Sequence, residues 1–366
     1  MPTDRLYYRD AYLGAFTANI VRVADDGRRV YLDRSALYPE SGGQPSDRGT
    51  LGAATVLDVV DEGDEVAHLV DRALAPGPVA GVVDWQRRFD FMQQHTGQHL
   101  VSAVIQDRFG WETVSVHLGV ETSTVDVTPA SVTPEQLEEA ERLANTEIWR
   151  NRPVSVTFED ASLARGLRKP VGRSGEIRIV TIEGLDRSAC GGTHVRATGE
   201  IGMMLLVKTE KVRGQTRIHF VGGARCATLA RSYAAELRHA VADSQQRIGT
   251  LEKEMAKLRT ALGGYRGREL FEKTPPGADG VRRAAREVDA IDDSIRAEAN
   301  AFTASGPALF VCWSGNALAI GASPGTGIDA GAWIKARAKR GGGTPLFAQG
   351  TFDDPAAAAL ELLPPR

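Results

Sequence analysis

Across residues 15–85, apolar positions come in short runs broken by turn signals. Residues 15–23 lead into Asp25-Asp26-Gly27 and are followed by apolar runs at 28–33, 55–60, 66–70 and 79–83. Runs of this length and spacing predict short strands closing into a small antiparallel barrel. Between them, residues 38–49 (YPESGGQPSDRG) hold too much Gly and Pro for a regular element and read as a plain turn rather than a segment facing a neighbouring domain. The period then lengthens. Phe91, His95, Leu100, Val104 and Ile105 fall near helical spacing, which predicts a helix over 90–109 capped by Asp90 and stopped by Gly110. Gly97 weakens that helix by about 1 kcal/mol relative to Ala. Residues 113–118 and 122–127 read as paired strands, and Thr133-Pro134 opens a helix to about Arg150. Further strands are expected at 154–158, 177–182 and 203–209.

Residues 227–262 contain one glycine, Gly249, and no proline, with Leu251, Met255, Leu258 and Leu262 at steps of three or four. This is a long helix that packs against something; half of a coiled coil is one reading, which so short and irregular a seam does not establish. Thr274-Pro275-Pro276-Gly277 marks a linker. Residues 281–303 read as helix and 308–313 and 317–322 as strands. Asp329 caps a helix through Arg340 that carries Lys335, Arg337, Lys339 and Arg340 and runs into Gly341, Gly342 and Gly343. Glycine amides beside four cations suit phosphate, and equally the cations complement the helix dipole while a glycine caps its end. The fold class expected is α+β and multidomain: a small β-barrel over 1–85, an α+β domain over 86–225, a helical connector over 226–274 and an α/β domain over 275–366.

Composition narrows the class. A chain of 366 residues with 42% hydrophobic content can build more than one core. A formal net charge of −3 argues against a uniformly basic nucleic-acid coat while leaving room for a basic face. Three scattered cysteines, Cys190, Cys226 and Cys312, make no disulfide framework, and no apolar stretch is long enough to span a bilayer. A cytoplasmic protein is expected, neither secreted nor membrane-inserted.

The candidate chemistry lies in two short pairs. On a helix, His95 and His99 project from one face, one turn apart. Cys190 and His194 flank Gly191-Gly192-Thr193, glycines that let the backbone turn both ends toward one spot. A histidine pair alone is a weak signal, but three imidazole nitrogens and one thiolate form a set that suits zinc over magnesium or calcium. Four protein ligands normally make a zinc structural, whereas catalysis needs an open position, and both readings stand. Thr96, Ser115, His117, Asp186 and Thr193 are candidates to bind substrate or support the ligands, and each alone can be an ordinary polar residue.

His95-Thr96-Gly97-Gln98-His99 with Cys190-Gly191-Gly192-Thr193-His194 resembles the editing domain of alanyl-tRNA synthetases and their free-standing relatives, the AlaX-type editing proteins. Residues 38–49, Ser115-Val116-His117-Leu118-Gly119 and Gly199-Glu200-Ile201-Gly202 extend the resemblance over about 1–225, and Lys339 to Gly350 is more loosely similar to the tRNA-binding domain that closes those synthetases. The resemblance implies a zinc-containing editing domain with one Zn2+ per chain on His95, His99, Cys190 and His194. It implies deacylation of mischarged tRNA(Ala), chiefly Ser-tRNA(Ala) and also Gly-tRNA(Ala). Such editing needs a polar pocket, because a site that hydrogen-bonds a hydroxyl rejects the analogue lacking it by about 10⁴ or more. His95, His99, Thr96, Ser115 and His117 are then the catalytic candidates, with Thr96 or Ser115 as hydroxyl partner. Lys335, Arg337, Lys339, Arg340 and Gly341, Gly342 and Gly343 are candidates for tRNA contact. With no Walker-type loop the chain reads as a stand-alone hydrolase, and a homodimer through the long helix or the last domain is compatible. The competing readings are a tRNA-binding protein with a purely structural zinc, and a hydrolase of some other small ester or amide.

Overall fold

The structure is a computed structural model that describes residues 2–172 and 174–363. The chain divides into two compact units, Met1–Ala235 and Glu236–Arg366.

In the first unit, six strands are β1 (Ala15–Ala24), β2 (Arg29–Leu32), β3 (Gly49–Leu51), β4 (Ala54–Glu62), β5 (Glu65–Val70) and β6 (Gly77–Val83). They close in the order β1-β2-β5-β4-β3-β6, and every pairing is antiparallel. Alternation along β1 sends Phe16, Ala18 and Ile20 inward against Val30, Leu51, Val56 and Val66.

Helix α1 (Trp85–Phe109) leaves the barrel directly. It starts five residues before the expected Asp90, because Asp84 is the cap, accepting the Arg87 N–H at 3.2 Å, while Asp90 pairs instead with Arg225 at 2.6 Å. Gly110, at φ 73°, ends it as expected. Every residue from Phe91 to Ile105 is buried, so α1 is a central helix rather than a surface one. Strands β7 (Thr113–Leu118) and β8 (Ser123–Val127), helix α2 (Pro134–Trp149), strands β9 (Val154–Asp160), β10 (Glu176–Ile182) and β11 (Asp186–Ala189), and strands β12 (Met204–Val212) and β13 (Gln215–Gly222) surround it. They form a four-stranded sheet β12-β13-β8-β7 and a three-stranded sheet β9-β10-β11. Met204 on β12 explains Gly97: a Cβ there would fall 2.7 Å from the Met204 sulfur. The helix-weakening glycine is what lets strand and helix approach.

Helix α3 (Ala224–Lys273) is 50 residues long. The second unit adds β14 (Arg282–Glu287), α4 (Asp293–Ala304), β15 (Ala308–Ser314), β16 (Ala317–Ala322), α5 (Ala330–Arg337), β17 (Arg340–Gly343), β18 (Phe347–Thr351) and α6 (Pro355–Leu360). The sheet order is β14-β15-β16-β18-β17. Two expectations fail here. The helix expected over 281–303 is a strand, β14, pairing parallel with β15, then a helix capped by Asp292. The helix expected to reach Arg340 stops at Arg337, and Gly341 to Gly343 are not a turn but part of the edge strand β17. Gly341 and Gly343 serve close packing, whereas Gly342 faces open space: a Cβ at Gly341 would meet the Gln349 carbonyl oxygen at 2.6 Å and Ile334 at 2.7 Å.

Candidate metal centre

Helix α1 carries His95 and His99 on its buried face, and the segment after β11 carries Cys190 and His194. The four donor atoms lie within 4.8 Å of one another. The Cys190 sulfur is 3.4 Å from Nε2 of both His95 and His194. The pairs, 91 residues apart between His99 and Cys190, thus meet at one spot.

Each imidazole is held from behind. Nδ1 of His99 lies 2.9 Å from Asp186 Oδ2, and the other oxygen of that carboxylate accepts from Arg168 Nε at 2.5 Å. Nδ1 of His194 is 3.1 Å from the Thr96 hydroxyl oxygen, which also accepts the Val195 N–H at 3.1 Å. Nδ1 of His95 lies 2.8 Å from Gln44 Oε1. That oxygen also accepts the Thr193 N–H at 3.0 Å, which fixes the amide orientation and makes His95 Nδ1 the donor. All three rings therefore turn Nε2 toward the thiol, the outer-shell arrangement typical of metal-ligating histidines. The donor set and its supports fit a zinc ion.

The electrostatics agree with four donors competing for protons. Burial pushes the enclosed His194 ring down to about 3, with His95 adding to the effect. Burial also works against charge on His99, yet Asp186 and Cys190 together outweigh it and hold that ring at about 10. Burial opposes ionisation of Cys190, but His95 and His194 outweigh it and keep the thiol well below its ordinary range. A cation competes with those protons for the same lone pairs.

Gly192 is there for space, not for a turn: its φ is not positive, and a Cβ would fall 2.1 Å from His95 Cε1. The loop over 38–49 is likewise no plain turn. Asp47 accepts the Tyr38 N–H at 2.7 Å and pairs with the wholly buried Arg88 of α1, whose Nε is 3.0 Å from Asp47 Oδ1. The closed loop presents Gln44 to both His95 and Thr193. Its composition disguised this role, since only contacts 51 and 149 residues away reveal it.

A cavity of about 920 Å³ borders the cluster, lined by His99, Gln98, Ser102, Val116, Arg168 and Asp186 among others. Thr113 and Gln98 both donate to the Ser102 oxygen, at 2.7 and 2.9 Å. Ser115 and His117 do not reach it. In β7, Val116 lies opposite Val125, itself opposite Ile218 in the core, so Ser115 and His117 face the other side of the sheet. There Ser115 donates to Asp126, which pairs with Arg217. Thr96 is wholly buried and engaged with His194, so its hydroxyl supports a ligand rather than facing the cavity. In the second unit, Arg337 pairs with Glu361 and Lys339 with Asp353, while Gly341 to Gly343 are exposed.

Residues 177–219 match the family described as the threonyl and alanyl tRNA synthetase second additional domain. The chain is similar to alanyl-tRNA editing protein Aarsd1-A of Xenopus laevis, 37% identical over 64% of this chain and 60% of that protein. It is also similar to alanyl-tRNA editing protein Aarsd1 of Bos taurus, 38% identical over 59% of this chain and 54% of that protein. An alanine–tRNA ligase of Pyrobaculum arsenaticum is 32% identical over 99% of this chain and 44% of the ligase. The chain thus spans between about two-fifths and three-fifths of the length of these relatives. The matched synthetase domain contains Cys190 and His194, and the chain is similar both to alanyl-tRNA editing proteins and to an alanine–tRNA ligase.

Proposed function

We propose that the chain is a zinc-dependent trans-editing hydrolase that removes the wrong amino acid, chiefly serine and also glycine, from tRNA(Ala) by hydrolysing the aminoacyl ester. The observation that carries this reading is the convergence of His95, His99, Cys190 and His194 beside a cavity of about 920 Å³. Those four residues hold one zinc ion per chain. Bound zinc supplies a Lewis acid for an ester carbonyl and lowers the pKa of water. The chain's own residues do the rest. Asp186, Thr96 and Gln44 keep each Nε2 aimed inward. Gln98, Ser102 and Thr113 line the cavity with polar groups beside His99, where a seryl hydroxyl finds hydrogen-bonding partners and an alanyl methyl does not. Thr96 acts as a positioning residue, and Ser115 and His117 take no part in the chemistry.

The segment assignments remain part of this reading: barrel over 1–85, deacylase domain over 86–225, helical connector over 226–274 and tRNA-contacting domain over 275–366. Lys335, Arg340 and the exposed amides of Gly341 to Gly343 contact phosphate, with Arg337 and Lys339 beside them. No helix among the described residues is long and apolar enough to cross a membrane, and we place the reaction in the cytoplasm, where charged tRNA is used.

The test is deacylation of seryl- and alanyl-tRNA(Ala), with chelator and with zinc restored. Release of serine that stops with chelator, returns with zinc and spares alanyl-tRNA is expected. Equal loss of both amino acids removes the specificity, and undiminished activity without metal removes the zinc. The complete four-donor set favours one alternative, an ion that only holds the fold together. Under that reading the metal-replete protein binds tRNA without cleaving the ester, and chelation unfolds it.

A further inference from the structure

One wall of the cavity beside the metal centre is a strap. Residues 161–172, which follow β9, are tied down where the Arg168 N–H donates to the Arg187 carbonyl at 2.8 Å. The Arg168 side chain commits all three of its nitrogens there: Nε to Asp186 at 2.5 Å, Nη1 to Gln106 Oε1 at 2.9 Å and Nη2 to the Leu185 carbonyl at 2.8 Å. The next residue crosses to the opposite wall. Lys169 Nζ donates to the Thr113 carbonyl at the start of β7, and Lys169, Pro170 and Val171 join the cavity lining.

Lys169 also ends a polar run that begins at the metal centre. Gln98, the chain neighbour of His99, donates to the Ser102 hydroxyl oxygen; the Thr113 hydroxyl donates to the same oxygen, and the Thr113 carbonyl receives Lys169. His99 and Ser102 are three residues apart on α1, a rise of about 4.5 Å. The ammonium therefore lies only a few hydrogen-bonded links beyond the four donors. Of the charged groups lining the cavity, Asp186 and Arg168 satisfy each other, which leaves Lys169 and Glu112. An ammonium has three donors. The chain engages Lys169 through a neutral carbonyl, gives it no carboxylate partner among the described residues, and leaves the side chain exposed. A cation held at the cavity mouth by a neutral group suits an anion carried in by the ligand. The proposed substrate brings one at that range, because its aminoacyl ester and its 5′-phosphate stand at opposite ends of one ribose.

We infer that Lys169 binds the phosphodiester on the 5′ side of the nucleotide that bears the amino acid, setting the ester against the metal centre and selecting an ester on RNA over a free amino-acid ester. The inference takes its substrate from the deacylase reading and its geometry from the strap. Lys169 touches the phosphate and not the reacting atoms, so its work is in binding.

The experiment measures binding, so that it does not depend on hydrolysis. Two stable amides are titrated calorimetrically into the full, zinc-loaded chain: 3′-seryl-amino-3′-deoxyadenosine, and the same compound carrying a methyl phosphodiester on its 5′ oxygen. The phosphodiester should bind the unaltered chain about tenfold more tightly, the usual worth of a hydrogen bond to a charged group. Lys169→Gln should abolish that difference while leaving the affinity for the plain nucleoside unchanged, and Lys169→Arg should restore it. Equal affinity of the unaltered chain for the two compounds, or no binding of either, overturns the proposal. So does a difference that survives Lys169→Gln, or a loss that is the same for both compounds, which would make Lys169 only the latch of the strap. A protein that leaves seryl-tRNA intact yet shows the Lys169-dependent difference refutes the deacylase reading and upholds the contact.

Discussion

At the level of single residues, Gly192 shows how tightly the centre is built. No side chain fits between the backbone there and the His95 ring. Gly192→Ala should push His95 away from its partners, lower stability by about 1–3 kcal/mol as overpacking does, and reduce the zinc retained per chain after dialysis. Metal analysis beside a denaturant titration checks both. An unchanged metal content would mean that the ring has room to yield. The meeting of His95, His99, Cys190 and His194 was legible in the sequence because residue type and short spacing carry that signal. Their supports were legible only in part: Asp186 and Thr96 stand near the ligands in sequence, whereas Gln44 and Arg168 act from distant segments that bear no mark of it. Ser115 and His117 were misplaced for a related reason. A strand's two faces alternate, and only the pairing register, shifted between Asp126 and Val127, reveals which face is which.

Among the elements, the loop over 38–49 carries the sharpest consequence. It contributes no donor to the cluster, yet Gln44 fixes the tautomer of His95. Gln44→Leu should therefore weaken zinc affinity by about 10–100-fold, the usual cost of losing such a support, while the barrel core keeps its melting behaviour. Competition with a chromogenic chelator measures the first and thermal unfolding the second. Helix α1 was predicted from its period, and its early start escaped notice because Trp85 and Phe89 pack against Tyr12, a contact no local pattern encodes. The strand β14 was read as helix because Arg282 to Glu287 is composed of good helix formers. Its parallel pairing with β15 overrides that propensity.

The molecule as a whole is a mixed α/β protein in two units, and its acid response can be traced to a group far from the metal. His68 on β5 is fully buried, its Nε2 2.8 Å from the Ser35 hydroxyl and its Nδ1 3.2 Å from the Val30 carbonyl. Burial lowers its pKa from 6.5 to about 4. Above pH 6.5 the ring is neutral whether folded or not, and it costs nothing. Between 6.5 and 4 the unfolded chain binds a proton that the folded chain refuses, so stability falls with pH, by about 3 kcal/mol across that window. In His68→Gln the difference in unfolding free energy between pH 7 and pH 4 should shrink by about that amount. Parallel slopes for the two proteins would show that the ring takes up its proton without unfolding.

The separation of the two donor pairs along the chain also sets a timetable. During synthesis, at about 5–20 residues per second, the second pair is made roughly 5–18 s after His99. For that interval the nascent chain offers any passing ion only two of the four donors of the cluster. Secure capture therefore waits until the segment bearing the thiol has left the ribosome.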